Sequence, residues 1–307
     1  MAGLKELRNR IEAIKSTQKI TSAMKMVAAS GLRRAQSLIA KSEFYNHNLW
    51  SVARRALSEL EEKARIRGKE AVLPHLLSGN GKDQKYLLVV LTSDRGLCGS
   101  FNANVAKVAA ARIEELQAAG KDVQIFCIGK KGKDILKRKY GSLIVQTLEG
   151  VAKKGAKYAE TEAIGEPILD AFLRGDIDVC EVVVSHFKSA LNHPVQVGRL
   201  LPLELEKTAE SETEEEPRHQ VAGAFYDYEP AKPELLEGLL PLIFRGSVFQ
   251  AIVNSQASEQ AARMTSMENA TSNAKDMISR LTLRYNRIRQ TAITTELIEI
   301  IAGAEAI

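Results

Sequence analysis

The segment QKITSAMKMVAASGLRRAQ, residues 18–36, has the pattern of a helix that packs closely against a second helix. Its small or apolar residues recur at alternating steps of three and four, which is the spacing of a coiled-coil seam. The seam carries small or polar residues in place of Leu and Ile, namely Gln18, Thr21, Ala28 and Gly31. The surface carries cations and no acid, namely Lys19, Lys25, Arg33 and Arg34. The segment therefore predicts a slender helix with a cationic surface.

The same pattern extends in both directions along the chain, and no proline interrupts it before about residue 67. The predicted first seam is Leu4, Leu7, Ile11, Ile14, Gln18, Thr21, Met24, Ala28, Gly31, Ala35, Leu38, Ser42, Tyr45, Leu49, Val52 and Ala56. A helix over this range would be roughly 85 Å long at 1.5 Å per residue. No compact domain of this size contains such a helix.

A second seam occupies the far end of the chain: Val253, Ala257, Gln260, Met264, Met267, Thr271, Ala274, Ile278, Leu281, Tyr285, Ile288, Ala292 and Thr295. It is long enough to indicate a coiled coil. We expect its helix to begin near Pro233, and Pro241 to kink that helix or mark its true start. Two long helices at opposite ends of one chain favour an antiparallel pair.

The middle of the chain follows a different pattern. Apolar runs at 85–94, 122–129, 179–187 and 194–203 predict strands, and helical segments separate the first three of them. This alternation predicts a small, Rossmann-like α/β domain with a mostly parallel sheet. The fold class is therefore α/β with a long coiled coil, divided into 1–67, 68–232 and 233–307. The acidic run at 204–217 predicts a disordered loop.

Charge and composition narrow the classes of function. The net charge is +5, and residues 1–67 hold 14 Lys and Arg against 6 Asp and Glu. A basic face fits nucleic acid, anionic lipid or an acidic protein surface, and charge alone does not choose among them. No apolar run approaches the length of a membrane span, and the N-terminus lacks the apolar core of a secretory signal. Three scattered cysteines indicate a reducing compartment.

The best enzyme-like signal is SDRGLCGSFN at 93–102, where a strand ends and a helix begins. Backbone N–H groups at such a junction can bind an anion, but the segment lacks a dinucleotide or triphosphate motif. A tight turn between strand and helix is the simpler interpretation. The five histidines show no metal-ligand spacing, so we expect no metal, no cofactor and no catalysis. Two alternatives stay open: a nucleotide-binding enzyme that uses the turn between Arg95 and Asn102, and a basic coiled-coil protein that binds nucleic acid.

Three segments, 8–36, 93–105 and 258–307, closely resemble the gamma subunits of F-type ATP synthases. The resemblance implies a non-catalytic rotor shaft inside an alpha3-beta3 ring, with the α/β domain against the membrane c-ring and an epsilon-type subunit. It implies that ion-driven rotation moves the beta subunits through their catalytic states. It also implies a peripheral protein without direct membrane insertion or nucleic-acid binding. The expected location is the cytoplasmic face of the bacterial inner membrane rather than the mitochondrial matrix.

The resemblance also implies which residues contact the beta subunits or affect coupling: Met24, Lys25, Arg33, Arg34, Arg263, Arg289, Gln290, Thr294, Glu296 and Glu299. The terminal segment IIAGAEAI, 300–307, matches the apolar tip that seats in the collar of the ring. One departure is Gly31, which stands where the family commonly has lysine. It removes a cation from the shaft, so any contact that the family makes through this position is in doubt.

Overall fold

Two helices of unusual length dominate the structure. The computed structural model describes residues 2–66, 73–153, 155–204 and 232–305. Helix α1 spans Ala2–Ile66 and helix α6 spans Lys232–Glu305, or 65 and 74 residues. Between them lie α2 (His75–Ser78), α3 (Phe101–Ala118), α4 (Lys130–Tyr140), a short 3-10 turn (Gly141–Leu143) and α5 (Tyr158–Leu173). The strands are β1 (Lys85–Leu91), β2 (Asp122–Ile128), β3 (Ile144–Leu148), β4 (Val179–Ser185) and β5 (Val195–Leu201).

The two long helices pair in antiparallel fashion, as predicted. Early in α1, the hydroxyl of Thr21 lies 2.8 Å from that of Thr271 in a hydrogen bond. Further along α1 the partners come from earlier in α6, since Asn46 Nδ2 donates to Gln250 Oε1 at 2.8 Å. Partner numbers on α6 fall as those on α1 rise, which fixes the direction. We call this helix pair the shaft.

The buried positions follow the predicted seams closely on α6 and less closely on α1. From Met264 to Ala292 every predicted seam residue of α6 is at least partly buried, whereas Thr295 is exposed. On α1 the predicted seam holds as far as Ser42 and is wrong at Tyr45 and Val52, which are exposed. The buried residues there are one position further along, namely Asn46 and Ala53. An α-helix with 3.6 residues per turn drifts away from a strict heptad, and this shift takes up the drift.

The middle of the chain forms a five-stranded sheet in the order β3-β2-β1-β4-β5. The pairs β1–β2, β1–β4 and β2–β3 are parallel, and β4–β5 is antiparallel. The mostly parallel sheet is thus confirmed, with one strand more than predicted. The additional strand is β3, a short edge strand whose central residues are exposed. It lacks the long apolar run that marks a buried strand.

Helices cover both faces of the sheet. Along β1, Tyr86 and Leu88 face the layer of α3 and α4, while Leu87 and Val89 face α5 and the lower part of the shaft. The shaft contributes Ala53, Ala56 and Leu57 of α1 to this second core. From α6 it contributes Leu236, Leu240, Ile243, Phe244, Val248 and Val253. The lower shaft is therefore built into the α/β body, and the upper shaft projects from it.

The position of α6 corrects two expectations. The helix runs continuously through Pro241, so this proline does not mark the helix start. A window within Glu234–Ile298 also reaches a mean hydropathy of 1.4, enough to span a membrane by length and composition alone. Half of that window is buried inside the protein, as in a core helix. The division of the chain at 67/68 and 232/233 stays a prediction, and residues 205–217 of the acidic run lie outside the described part.

Candidate functional site

The turn after β1, residues 93–102, folds tightly on itself. The Ser93 N–H donates to Asn102 Oδ1 at 3.0 Å, and Asn102 Nδ2 donates to Ser93 Oγ at 2.8 Å and to Cys98 Sγ at 3.1 Å. Leu97 and Gly99 have φ of 66° and 56°, in the left-handed region that compact turns use. The side chains of Ser93, Cys98 and Asn102 are thus paired with one another. This arrangement favours the tight-turn interpretation over a nucleotide site.

The Asp94 carboxylate accepts hydrogen bonds from backbone N–H groups at a place where other α/β folds bind an anionic ligand. Its Oδ1 accepts from the Lys130 N–H at the start of α4, at 3.1 Å. Its Oδ2 accepts from the Gly150 N–H after β3, at 2.8 Å. A carboxylate at a helix N-terminus is favourable because of the helix dipole. The protein therefore supplies its own anion at this point.

Helix α6 passes over the carboxyl edge of the sheet. Ala262 packs into the core cluster that contains Val90 of β1 and Val183 of β4. In parallel sheets whose strand order reverses, ligands bind in the crevice at the point of reversal, which here lies between β1 and β4. In this protein α6 lies at that crevice. The shaft thus occupies the position at which other α/β folds bind a ligand.

Arg263 connects the shaft to the turn after β1. Its Nη1 pairs with Glu259 Oε1 at 2.5 Å, and its Nη2 donates to the Gly96 carbonyl at 3.2 Å. Burial raises the pKa of the Glu259 carboxyl, and the neighbouring Arg263 opposes that rise. Only 12% of the Arg263 side chain is exposed. The structure therefore places this predicted coupling residue inward, against the α/β body.

A cleft of about 990 Å³ lies above this connection, between α1 and the turns that follow β1, β2 and β3. Its α1 wall includes Ile20, Met24 and Val27. Leu97 projects from the opposite wall and is mostly exposed. The cleft thus presents apolar side chains to solvent where the shaft leaves the body. Met24 and Arg263 are the predicted site residues that line it.

The other predicted residues lie on the shaft in two groups. In the lower group, Lys25 forms an ion pair with Glu268 across the helix pair, and Arg33 and Arg34 are exposed. In the upper group, Arg289, Gln290, Thr294 and Glu296 are exposed. The Thr294 hydroxyl donates to the Gln290 carbonyl at 2.9 Å, and the side chain of Glu299 lies outside the described part. About 30 Å of helix separates Glu268 from Arg289 at 1.5 Å per residue.

The end of α6 extends beyond α1. Its large apolar residues are exposed there, namely Ile293, Leu297, Ile298, Ile300 and Ile301. Contiguous exposed apolar surface marks an interaction site. This overhang matches the apolar tip that the sequence predicts, as far as the described residues reach.

A buried polar layer in the lower shaft is absent from the predicted sites. Asn46 is 6% exposed, and its Oδ1 has no hydrogen-bond partner among the described residues. The oxygen faces Gly246, where an added Cβ would lie 2.1 Å away. The step of four from Ser42 to Asn46 is the only signal of this layer in the sequence. The predicted seam passed over it in favour of Tyr45.

Within the described ranges, no group of three or more His, Cys, Asp and Glu residues is placed to hold a metal ion. Cys98, Cys127 and Cys180 are all buried. Burial raises the pKa of the Cys127 thiol to about 11 and raises the pKa of the Cys180 thiol further still. Neither thiol is poised to act as a nucleophile.

Comparisons with known proteins agree with this architecture. The family model described as ATP synthase matches residues 3–307. The ATP synthase gamma chains of Rhodospirillum rubrum and Paracoccus denitrificans are 45% and 44% identical over 309 and 307 residues, and each alignment covers all of both chains. A chain from the central stalk and c-ring of the Tetrahymena thermophila mitochondrial ATP synthase has a TM-score of 0.58 at 27% identity, covering 82% of this chain and 99% of that one. A rotor chain from the Euglena gracilis enzyme has the same fold, with a TM-score of 0.57 at 18% identity over 95% and 99%. The chain belongs to the gamma chain family of the ATP synthases.

Proposed function

We propose that this chain is the central-stalk rotor of a rotary ATP synthase. It couples ion-driven rotation of a membrane c-ring to conformational cycling of the catalytic beta subunits in an alpha3-beta3 ring. The chain itself is non-catalytic. The observation that carries the proposal is the antiparallel helix pair, which is embedded in the α/β body at one end and free at the other.

The dimensions of the shaft suit an axle inside a ring. From Thr271, which pairs with Thr21, to the end of α6 at Glu305, the helix extends about 50 Å at 1.5 Å per residue. Where the two helices pair, the seam contains Thr21 and Ala28 on α1 and Thr271 and Ala274 on α6. These short side chains allow the two backbones to approach closely and keep the shaft narrow.

The surface of the shaft suits a moving contact. Lys19, Arg33 and Arg34 are exposed on α1. Exposed charges interact over roughly 8 Å at physiological ionic strength and need no interlocking shape. We propose that these cations face acidic lever segments of the beta subunits. A deep apolar contact at the same place would hold the shaft at one angle.

The site residues fall into three roles within this proposal. Met24 and Lys25, with Arg33 and Arg34, serve the contact with the beta levers. Arg289 and Gln290 serve a contact with a beta loop, because their polar side chains are exposed near the free end of the shaft. Thr294 and Glu296 continue that surface towards the tip, and Glu299 is assigned to the same contact from the resemblance alone. Arg263 serves coupling from inside, through its contact with the turn after β1.

The remaining partners are proposed from the family and from the layout of the body. Solved relatives are described with a central stalk and c-ring, and with a rotor. We place the c-ring and an epsilon-type subunit against the end of the α/β body opposite the shaft. The protein is then peripheral, at the cytoplasmic face of a bacterial inner membrane, without inserting into it. We propose no nucleic-acid partner, because the turns and helices of the body that the structure describes form no nucleic-acid recognition module.

Reconstitution tests the function directly. The full chain is mixed with its own alpha and beta subunits, and the complex is isolated and its stoichiometry determined by native mass spectrometry. We expect one copy in each alpha3-beta3 complex and ATP hydrolysis by the complex but not by the chain alone. A matched truncation that ends at residue 288 should lose the overhang contacts and weaken the complex.

Two results would instead favour the alternatives. Tight nucleotide binding by the isolated chain would favour an enzyme that uses the turn between Arg95 and Asn102. Salt-sensitive DNA binding that survives competition by the alpha3-beta3 ring would favour a nucleic-acid protein. Either result, together with failure to join the ring, would refute the rotor.

A further inference from the structure

One side of α6 is hydrogen-bonded to the end of β4. Asn254 Oδ1 accepts from the Phe187 N–H at 3.2 Å. One helical turn later, Ser258 Oγ donates to the Ser185 carbonyl at 3.0 Å. Both shaft side chains are buried, at 2% and 0% exposure. They fix this side of the helix to backbone groups whose positions the sheet determines.

The opposite side of α6 is hydrogen-bonded to the loop that follows β3. Gln256 lies two residues after Asn254, which is a rotation of about 200° around the helix at 3.6 residues per turn. Its Nε2 donates to the Ala152 carbonyl at 2.8 Å, and its Oε1 accepts from the Ala156 N–H at 3.2 Å. One side chain therefore holds the loop through both its donor and its acceptor.

Arg263 adds a second bond on the Gln256 side. It contacts the Gly96 carbonyl in the turn after β1. The strand order agrees with this division, because β4 lies on one side of the central strand and β2 and β3 lie on the other. The helix is thus held from both sides of the crevice between β1 and β4.

Over residues 254–262, apolar packing alone would hold α6 only weakly against rotation about its own axis. The residues that pack around this segment include Ala257, Ala261 and Ala262, whose methyl groups give a smooth surface. Hydrophobic burial is non-directional, so a small roll of the helix changes it little. Hydrogen bonds weaken steeply when their angles change. A roll in either direction would distort bonds on both sides at once.

We propose that Asn254, Gln256 and Ser258 form a two-sided key that transmits torque between the shaft and the α/β body. They are positioning residues, since they act by fixing the angle of the shaft and contact no reacting group. The inference rests on the proposed rotor function and adds the place where rotation passes from one part of the subunit to the other.

Angular fluctuation in the assembled, ion-pumping complex tests the key. The alpha3-beta3 ring is fixed to a surface, a bead is attached to the body through Lys107→Cys on the exposed side of α3, and rotation is stalled. We expect Gln256→Ala to raise the angular variance of the bead by up to about twofold, because one of two parallel restraints keeps only the Arg263 bond. Ions pumped per ATP hydrolysed should fall, while ATP hydrolysis continues.

The matched control is Ser279→Ala, higher on the same helix. Its hydroxyl is exposed and bonds only to the Lys275 carbonyl of its own helix. We expect this variant to match the wild type in variance and in pumping. The double variant Asn254→Ala, Ser258→Ala removes the β4 side and should resemble Gln256→Ala. Equality of both key variants with the control would overturn the inference.

Gln256→Glu keeps the test decisive if an alanine variant fails to fold. It preserves volume and the acceptor for Ala156 but replaces the donor to Ala152 with a carboxylate oxygen. We expect a variance between those of the wild type and Gln256→Ala, and wild-type variance here would count against the key. If the wild-type chain forms no complex, the rotor function itself fails. If the wild type rotates and pumps but the key variants behave as the control does, only the key fails.

Discussion

Gly246→Ala should destabilise the protein in the wild type and stabilise it when Asn46 is truncated. The added Cβ would lie 2.1 Å from Asn46 Oδ1, far inside contact distance. Asn46 is buried and donates to Gln250 at 2.8 Å, so its side chain cannot turn away without losing that hydrogen bond. The clash therefore forces either the bond or the helix pair to open.

The magnitude follows from two opposing terms. Replacing glycine by alanine inside a helix stabilises it by about 1 kcal/mol. Forcing an extra carbon into a packed interface costs about 1 to 3 kcal/mol, and a lost hydrogen bond adds about 1 kcal/mol. In the wild type the net effect is a loss of about 1 to 3 kcal/mol in the free energy of unfolding. In the Asn46→Ala background only the gain of about 1 kcal/mol remains.

Urea unfolding of the four full-length chains, followed by circular dichroism, measures the double-mutant cycle. The coupling energy between positions 46 and 246 should be about 2 to 4 kcal/mol. Gly31→Ala is the matched control, because the three atoms nearest to a Cβ there, at 3.1 to 3.3 Å, all belong to the flexible Gln260 side chain. That variant should be stabilised by up to about 1 kcal/mol. Stabilisation by Gly246→Ala in both backgrounds would refute the reasoning.

Three further predictions concern the acid stability of the body, the overhang and the thiols. Asp178→Asn should lower the free energy of unfolding by about 2 to 3 kcal/mol at neutral pH, since the buried carboxylate accepts from Asn80 and from the backbone N–H groups of residues 84 and 85. Burial raises the pKa of Asp178, but these hydrogen bonds together lower it below its ordinary value of 3.8. The stabilisation is therefore present above that value and lost as the pH falls through the lowered pKa. The gap between variant and wild type in urea should close in acid, and a gap that stays constant would contradict this. Arg289→Ala combined with Gln290→Ala should reduce ATP synthesis by assembled complexes about tenfold through lost charged hydrogen bonds, with an unchanged melting profile of the chain; wild-type synthesis would remove these residues from the proposed contact. Finally, Cys98, Cys127 and Cys180 should resist a thiol reagent at neutral pH in the native chain and all react after unfolding in guanidinium, whereas rapid native labelling would show that the core opens.

Periodicity predicted the parts of the fold in which one face of a helix is buried over many turns. The α6 seam from Met264 to Ala292 is such a case, because a single partner helix covers it. The α1 seam was wrong at Tyr45 and Val52, in the part of the helix that enters the body and is covered by several elements. It holds there at Leu49 and Ala56, which are at least partly buried. In that part of α1, which side chains are buried depends on contacts with both the sheet and α6. The local sequence pattern of α1 does not indicate those contacts.

The residues of the candidate site also fall into those that could be predicted and those that could not. The resemblance placed the exposed residues of the overhang, but it gave no reason to expect Arg263 to face inward. The hydrogen bonds of Gln256 join residues about one hundred positions apart and depend on the loop after β3, a strand that the sequence reasoning missed. A single glutamine in a helix carries no sign of such a partner.

The order of the shaft's two helices along the polypeptide has a consequence for biosynthesis. Helix α1 is synthesised well before its partner α6, because the two residues whose hydroxyls meet, Thr21 and Thr271, are 250 residues apart in the chain. Contacts of such high sequence separation form late and slow folding. The nascent helix α1 must keep its small, weakly apolar seam unpaired until α6 has been made. A seam poor in Leu and Ile exposes little apolar surface during this interval, which reduces the risk of misassociation before α6 packs against it.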